Sequence, residues 1–431
     1  MSKSTRSHRS RKSKCKKPYK DFPLTAHPSG RWVKKCRKKA FYFGPIGEGA
    51  EYEPNWRAAL DQFNREWQYI LKGEPIPGQE PENQDNPPCT LRELCNEFLA
   101  TKRNKIESGE LSERSYRDYF RTCKLLIDHF GKERAIESLK PLDFEAFRKS
   151  LAKKLNPATL GNEITRCRVV FKFAADADLI DKPVKFGQSF DRPSKTSLRR
   201  VRNEAGPKMF TGDEIRMILK ALSGEPVIVE GQEEPVIMPP DWQLKAMVLL
   251  GINGGLGNTD CAGLMESHLD LKSSWLDYPR PKTEIPRKIP LWPETVSAIR
   301  EALERRRSYR TAADEGIVFL TRTRYRWVRM LGTGIEKTGN KKPRSIQDDI
   351  SRKFSQVLSC LKINGRKGLG FYTLRRTFEI QAGESKDQVA VDAVMGHADE
   401  TMAAVYRQGQ ISDARLQAVV DVVHRWLWPV A

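Results

Sequence analysis

The chain has 431 residues, of which 39% are hydrophobic and 30% are charged, a balance typical of a globular protein with several cores. Its formal net charge of +21 predicts a polyanionic partner, and nucleic acid is the first candidate because no apolar run approaches the ~20 residues that span a bilayer. The basic N-terminus lacks the apolar stretch of a secretory signal, and the eight scattered cysteines form no Cys-x-x-Cys pair, so we expect reduced thiols inside a cell, with no metal site and no cofactor.

The first part of the chain predicts a basic tail followed by a small β-plus-helix module. Residues 1–18 are low in complexity and rich in Lys and Arg, which indicates a disordered tail that either solubilises the protein or seeks phosphates. Within the module, residues 19–73, the segments 31–36 and 39–43 are rich in β-formers and predict a hairpin. A helix with one apolar face follows, opened by Pro54.

Basic side chains crowd this predicted hairpin. A two-stranded ribbon with such charge can lie in a DNA groove, although a solvated surface has the same composition. The neighbouring basic tail favours DNA binding over a merely solvated surface. The candidate DNA-binding residues are Lys34, Lys35, Arg37, Lys38 and Lys39.

A proline-rich linker, residues 74–88, precedes a helical region over residues 89–180. Apolar residues at helical spacing, with Asn156 and Pro157 as a start signal, predict four helices that form a small bundle. The helices are predicted at about 91–102, between Ser112 and Gly131, at about 141–154, and from Asn156 onwards.

Residues 181–208 are basic and predict a second linker, after which residues 209–431 form a larger mixed domain. Thr211 is the expected N-cap of its first helix, with Glu214 at the capping-box position. A very apolar helix is predicted near 244–250. Strands are predicted within 275–291 and 316–320, and helices after them.

Four short motifs follow one another in this last region. Lys282 lies in a Lys-Thr turn between two strand-like halves, and residues 372–378 (YTLRRTF) enter a helix. Residues 394–397 (VMGH) close a helix, and Tyr406 follows nine residues after His397. In order and spacing, this set resembles the tyrosine recombinase (phage integrase) family, whose signature is a Lys in a β-turn, His-x-x-Arg, Gly-His and then Tyr.

The resemblance rests on motifs in residues 209–431 and on architecture alone in residues 19–73 and 89–180. It implies a mostly α fold with small β elements (α+β): an arm-type module, a helical core-binding (SAM-like) domain and a catalytic domain. It implies a site-specific recombinase or integrase that cleaves and rejoins double-stranded DNA through a 3′-phosphotyrosyl intermediate. It further implies that the protein acts as a homo-tetramer on paired DNA sites and has no membrane partner. It also implies a bacterial cytoplasmic protein that is associated with the nucleoid.

The resemblance also assigns roles that suit the chemistry. Tyr406 is the nucleophile, because a phenolate can hold a phosphate covalently without water or metal. Arg375 clamps the phosphate, since a guanidinium binds two oxygens and stays charged. His397 fills the late His position, Lys282 is the general acid for the leaving 5′-oxygen, and Tyr372 stands where the family has its first His.

One departure bears on activity. Gly257 stands where the family places its first arginine, and no arginine lies between residues 217 and 279. Either another basic residue enters the site or the enzyme is weak or inactive, as a non-catalytic DNA-binding protein on the same fold. A type IB topoisomerase shares the chemistry, but the arm module and the two linkers favour recombination. The candidate replacements are Arg322, Arg324, Arg344 and Arg376.

Apolar residues recur at helical spacing at the end of the chain. Such a helix either packs on its own domain or, as in members of the family, docks on a neighbouring protomer. The residues in this pattern are Leu416, Val419, Val420, Val423, Trp426 and Leu427.

Overall fold

The chain divides into two compact units, residues 1–88 and 89–431. The predicted disordered tail and first linker lie outside the described residues, apart from residues 17, 18 and 88. None of the described helices is long and apolar enough to cross a membrane. The computed structural model describes residues 17–27, 30–36, 39–46, 52–72, 88–331, 345–363, 366, 368–397 and 411–429.

The first unit is a three-stranded antiparallel sheet with one helix packed on it. The strands follow the order β1-β2-β3, and the pairing of β2 with β3 confirms the predicted hairpin. The helix begins two residues before the predicted Pro54 and buries Ala59 and Phe63 against Trp32 and Phe43. The elements are β1 (Thr25–Ala26), β2 (Arg31–Cys36), β3 (Lys39–Pro45) and α1 (Tyr52–Lys72).

Four helices form the predicted bundle at the start of the second unit. Three of their starts follow from local capping: Thr90 and Glu93 form a capping box, and Ser112 and Asn156 accept hydrogen bonds from the first turns of their helices. Pro157 follows Asn156 at the first helical position. The helices are α2 (Leu91–Glu107), α3 (Glu113–Phe130), α4 (Pro141–Ala152) and α5 (Pro157–Asp176).

The predicted basic linker over 181–208 contains a further helix, α6 (Lys195–Glu204), which the sequence reading did not predict. Ser194 caps this helix by accepting a hydrogen bond from the Ser197 amide at 3.1 Å. None of the residues of α6 is buried, so the helix has no core-facing apolar stripe from which the sequence could have predicted it.

The region from residue 209 onwards packs its helices around α8, in which ten of the eleven positions from Leu244 to Gly254, all but Lys245, are buried. The capping box of Thr211 and Glu214 forms as predicted. The helices are α7 (Gly212–Leu222), α8 (Trp242–Gly254), α9 (Asn258–Gly263), α10 (Pro293–Glu304), α11 (Asp349–Cys360), α12 (Thr373–Ala382), α13 (Gln388–Met395) and α14 (Asp413–Leu427).

Two small antiparallel sheets complete this region. The pairing of β5 with β6 bears out the strands predicted within 275–291, whereas the strand predicted at 316–320 is wrong. Four residues in a row, 317–320, are buried there and make only isolated bridges, so no ladder extends from them. The strands are β4 (Leu269–Asp270), β5 (Trp275–Asp277), β6 (Lys288–Pro290), β7 (Val328–Leu331) and β8 (Ser345–Asp348).

The last helix, α14, packs on its own domain. The Trp292 indole donates to the Val420 carbonyl at 3.1 Å and fixes the helix against the start of α10. Five apolar side chains of α14 are buried in the common core: Leu416, Val419, Val420, Val423 and Leu427. The fold as a whole is mostly α with small β elements, which confirms the predicted fold class.

Candidate active site

The Lys-Thr turn lies at the tip of the β5–β6 hairpin. Beyond the paired strands, Arg280 and Ile285 form one more antiparallel bridge, and the Arg280 carbonyl accepts from the amides of Thr283 (3.0 Å) and Glu284 (2.8 Å). Glu284 takes a left-handed φ of 55° to close the turn. Lys282 is therefore exposed at the tip, which presents its ammonium group to solvent.

Lys288, the other lysine of this hairpin, has partners of its own. Its Nζ lies 2.8 Å from an Asp413 carboxylate oxygen and 4.3 Å from the centre of the Trp275 ring. These contacts hold Lys288 against α14, which leaves Lys282 as the lysine of the turn.

Arg375 lies in the first turn of α12 and is 2% exposed. Its Nη1 donates to the Gly255 carbonyl at 2.6 Å and its Nη2 to the Met395 carbonyl at 2.7 Å. Burial, together with the positive charge of Arg280, lowers the pKa of Arg375 to about 10. A guanidinium has five N–H donors, so these two bonds leave three hydrogens for a ligand.

The predicted helix end at residues 394–397 is where α13 stops. Gly396 takes a left-handed φ of 62°, a conformation that favours glycine, and closes the helix. The next amide, that of His397, donates to the Asp392 carbonyl at 2.9 Å, and His397 Nδ1 lies 3.1 Å from Asp392 Oδ1. This contact orients the ring and leaves Nε2 without a hydrogen bond to any described residue.

Three of the four predicted motifs meet at this helix end. Arg280 Nη1 donates to the Gly396 carbonyl at 3.2 Å, and Thr283 Oγ1 donates to the same oxygen at 3.4 Å. Arg375 reaches the preceding carbonyl, that of Met395. A Cβ at Gly396 would stand 3.0 Å from Arg280 Cβ, so this position requires glycine for close approach as well as for its backbone angle.

The segment matched to the first arginine motif joins the same cluster without a guanidinium. Gly257 is the N-cap of α9, and Asp260 Oδ2 accepts a hydrogen bond from its amide at 3.0 Å. The Tyr372 ring covers this glycine, since a Cβ at 257 would lie 3.4 Å from ring atoms. The two positions that depart from the family signature, Gly257 and Tyr372, are therefore in contact.

Asp260 also binds a buried arginine that the sequence reading did not assign. Arg287 Nη1 lies 3.3 Å from Asp260 Oδ2, and Arg287 Nε donates to the Tyr278 carbonyl at 3.1 Å. Its Nη2 has no hydrogen-bond partner among the described residues. Burial lowers the pKa of Arg287, and the neighbouring carboxylate opposes that shift.

The sequence reading also missed Arg280. A signal was present, because Arg280 is the first arginine after the gap over residues 217–279 and precedes Lys282 by two positions. Its contact with Gly396 joins residues 116 apart in sequence, which no local pattern reveals.

Three of the four arginines proposed as replacements lie among the described residues, and these three do not join the cluster. Arg322 and Arg324 lie in a turn closed by Thr321, next to a separate pocket that Trp242 and Trp327 line. Arg376 is exposed, with its guanidinium 5.9 Å from the Tyr372 ring centre. Arg344 lies outside the described residues, as does the predicted nucleophile Tyr406.

In the hairpin of the first unit, two of the candidate DNA-binding lysines lie on opposite faces and differ in exposure. Lys34 is half-buried, and its Nζ donates to the Pro23 carbonyl at 3.0 Å. Lys35, on the other face of the strand, is exposed. Arg37, Lys38 and the side chain of Lys39 lie outside the described residues.

The chain was compared with known proteins by sequence and by fold. Residues 208–412 match the model of the phage integrase family. No curated protein matches the chain. Among solved structures, a lambda integrase dimer bound to a COC′ core site is 15% identical, covering 91% of this chain and 96% of its own, with a TM-score of 0.53.

Two further solved structures share the fold. A Tn1549 transposon integrase in complex with a circular intermediate DNA is 17% identical and covers 77% of this chain and 98% of its own, with a TM-score of 0.51. A lambda integrase tetramer bound to a Holliday junction is 14% identical and covers 88% of this chain and 96% of its own, with a TM-score of 0.50. The match to the phage integrase family, the tyrosine recombinases, is thus carried by the domain at residues 208–412.

Proposed function

We propose that the chain is a site-specific DNA recombinase that cuts and rejoins strands through a 3′-phosphotyrosyl intermediate, with Tyr406 as nucleophile. The observation that carries this proposal is the meeting of three distant segments at the end of α13. The Lys282 turn, the start of α12 and the Gly396–His397 helix end are joined there by hydrogen bonds to two consecutive carbonyls.

The cluster suits phosphoryl transfer to a tyrosine. The Tyr406 phenol loses its proton to water as its oxygen attacks the scissile phosphorus, and the bond from phosphorus to the 5′-oxygen breaks. Arg375 donates its remaining N–H groups to the non-bridging oxygens, where negative charge gathers in the transition state. The ammonium of Lys282 gives its proton to the leaving 5′-oxygen, and His397 Nε2 donates to the phosphate. In the second half of the reaction a 5′-hydroxyl attacks and the phenol leaves.

The partner is double-stranded DNA, and the net charge of +21 supplies attraction to phosphates. We place the basic hairpin of the first unit on a distal arm site and the bundle of α2–α5 on the core site. The lambda integrase neighbours are a dimer on a core site and a tetramer on a Holliday junction. By the same geometry, four copies of this chain act on paired sites, in the bacterial cytoplasm at the nucleoid.

The proposal predicts a covalent adduct on a nicked half-site taken from the DNA that flanks the gene. The nick releases the leaving strand, so the phosphotyrosyl bond accumulates and is seen as a shift in a denaturing gel. We expect the adduct with the natural chain and its loss in Tyr406→Phe, which removes only the nucleophilic oxygen. Tyr309→Phe is the matched control, because that tyrosine is exposed and makes no contact with the cluster.

The same assay separates the competing function. A protein that keeps the fold without the chemistry would bind the half-site in a salt-sensitive way and give no adduct with any variant. A type IB topoisomerase would relax supercoiled DNA of unrelated sequence, whereas a site-specific recombinase requires its own site.

A further inference from the structure

The cluster around Gly396 contains a guanidinium that no family motif assigns. Arg280 lies two residues before Lys282 and is half-buried on the hairpin. Its Nη1 bonds the Gly396 carbonyl, while Arg375 bonds the carbonyl of the residue before it. We propose that Arg280 supplies the second phosphate-binding guanidinium of this enzyme, in place of the side chain that Gly257 lacks. This proposal rests on the proposed recombinase function and concerns the same site.

The position of Arg280 suits a ligand shared with Arg375. Both side chains come from different elements and converge on consecutive carbonyls at the end of α13, next to His397. One bond of 3.2 Å is the only hydrogen bond of the Arg280 side chain to described residues, so four of its five N–H donors are left for an oxyanion. Two guanidiniums on one phosphate can each take a non-bridging oxygen.

The charges around the site are positive in excess and therefore favour a bound anion. The positive charge of Arg280 disfavours protonation of Arg375, and that of Arg287 adds a smaller effect of the same sign. Among the groups that act on Arg375, Asp260 is the carboxylate, and its Oδ2 already accepts from Arg287 and from the Gly257 amide. Like charges held this close repel unless an anion joins them, and a phosphodiester in the site brings one negative charge.

The other arginines of the domain are less suited to the role. The Arg287 side chain has no exposed area. It binds Asp260 and the Tyr278 carbonyl, so it supports the site from within the protein core. Arg376 points along the exposed face of α12 toward the Tyr372 ring. Arg322 and Arg324 lie on a turn outside the cluster.

The cover over Gly257 explains why the guanidinium comes from the hairpin. The Tyr372 ring occupies the space in front of the glycine, at 3.4 Å from the place of a Cβ. A long side chain from residue 257 would have to displace that ring to reach the phosphate. Arg280 comes instead from the hairpin and passes Gly396, where a Cβ would stand 3.0 Å from Arg280 Cβ and the glycine leaves room for it.

The test measures the rate of adduct formation on the nicked half-site for Arg280→Ala and Arg280→Lys. Removing one donor that stabilises the transition state slows such a step by about 10²–10³-fold, so we expect that loss for Arg280→Ala and a smaller one for Arg280→Lys, which keeps the charge. Arg300→Ala is the matched control, since Arg300 also donates to a backbone carbonyl, that of Leu271, on the exposed face of α10.

A second substrate makes the result specific to charge. In a methylphosphonate half-site, a methyl group replaces one non-bridging oxygen and removes the negative charge that Arg280 neutralises. We expect this substrate to restore the rate of Arg280→Ala by at least about tenfold relative to the phosphate substrate. A variant that was merely misfolded would gain nothing from the neutral substrate, and thermal unfolding curves of both variants provide an independent check of folding.

The outcomes separate this proposal from the function on which it rests. If the natural chain forms the adduct and Arg280→Ala is slowed no more than Arg300→Ala, the role of Arg280 is refuted and the recombinase function stands. A slow Arg280→Ala variant that the methylphosphonate does not rescue also refutes it. Absence of the adduct with the natural chain on its own flanking DNA overturns both.

Discussion

Gly257, Asp260 and Tyr372 form one packed unit at the edge of the candidate site. The carboxylate of Asp260 accepts from the glycine amide, and the tyrosine ring lies over the glycine. The carboxylate then binds the buried Arg287, which ties α9 to the hairpin that carries Lys282. Compared with the family signature, Gly257 lacks the arginine side chain, and Tyr372 has a larger ring than the histidine usual at that position.

This packing predicts that Gly257→Arg alone gives no gain in cleavage. The backbone tolerates the change, since Gly257 has a φ of −93°, but the atoms beyond Cβ meet the Tyr372 ring. Gly257→Arg with Tyr372→His removes that ring, so we expect the double variant to cleave at least about tenfold faster than Gly257→Arg. The measurement is adduct formation on the nicked half-site.

Tyr372→His alone serves as the control, because it opens the space without filling it. If Gly257→Arg alone speeds cleavage, the ring does not block the position and the two sites are independent. That result would also weaken the case for Arg280, since the site would accept an arginine from α9 directly.

At the scale of elements, α13 depends on a polar contact with α14. Asp387 caps α13 by accepting from the Ala390 amide at 3.1 Å and binds Arg415 through two contacts of 2.7 Å. The hydrogen bonds from Arg415 lower the pKa of the Asp387 carboxyl. Because α13 ends at Gly396, this contact fixes the element that carries the site.

Asp387→Ala should lower the melting temperature at pH 7 by roughly 2–4 °C, the effect of losing about 1 kcal/mol of cap in a domain of this size. A carboxyl whose pKa is lowered on folding stabilises the protein above its unfolded value, about 4, and that contribution disappears as the pH falls through the lower folded value. The difference from the natural chain should therefore shrink below pH 4, as measured by circular dichroism.

Asp421→Ala is the control for this prediction, because Asp421 lies on α14 and accepts from Gln417 within the same helix. An equal loss of melting temperature in Asp421→Ala, or a difference for Asp387→Ala that does not shrink at all between pH 7 and pH 3, would contradict the assigned role.

Elements whose signals are local were predictable from the sequence, and those that depend on distant contacts were not. The cap at Asn156 and the glycine stop at 396 are fixed by neighbouring residues. The buried run at 317–320 predicted a strand because apolar content alone does not distinguish a strand from a packed loop. Arg280 was missed because it depends on a distant contact: its partner, Gly396, is close to it only in the folded chain.

At the scale of the whole molecule, positive charge is distributed over both units. The candidate catalytic cluster lies in the second unit, and the basic hairpin lies in the first. Within that hairpin, alternation along β2 gives its two lysines different surroundings. Lys34 is held by the Pro23 carbonyl and lies 6.0 Å from the Trp67 ring centre, whereas Lys35 is exposed.

This difference predicts which lysine contacts DNA phosphates. A phosphate contact releases a counterion, so the slope of log K against log salt becomes less steep by about 0.9 when one contact is lost from duplex DNA. Lys35→Gln in the full chain should show that change on DNA that contains the arm site, measured by fluorescence anisotropy between 50 and 200 mM salt. Lys34→Gln should leave the slope close to that of the natural chain and lower the melting temperature of the first unit, because its ammonium already has a partner.

Equal slopes for Lys35→Gln and the natural chain would mean that β2 presents its exposed face to solvent when DNA is bound. The arm contacts would then have to come from other basic residues of the first unit.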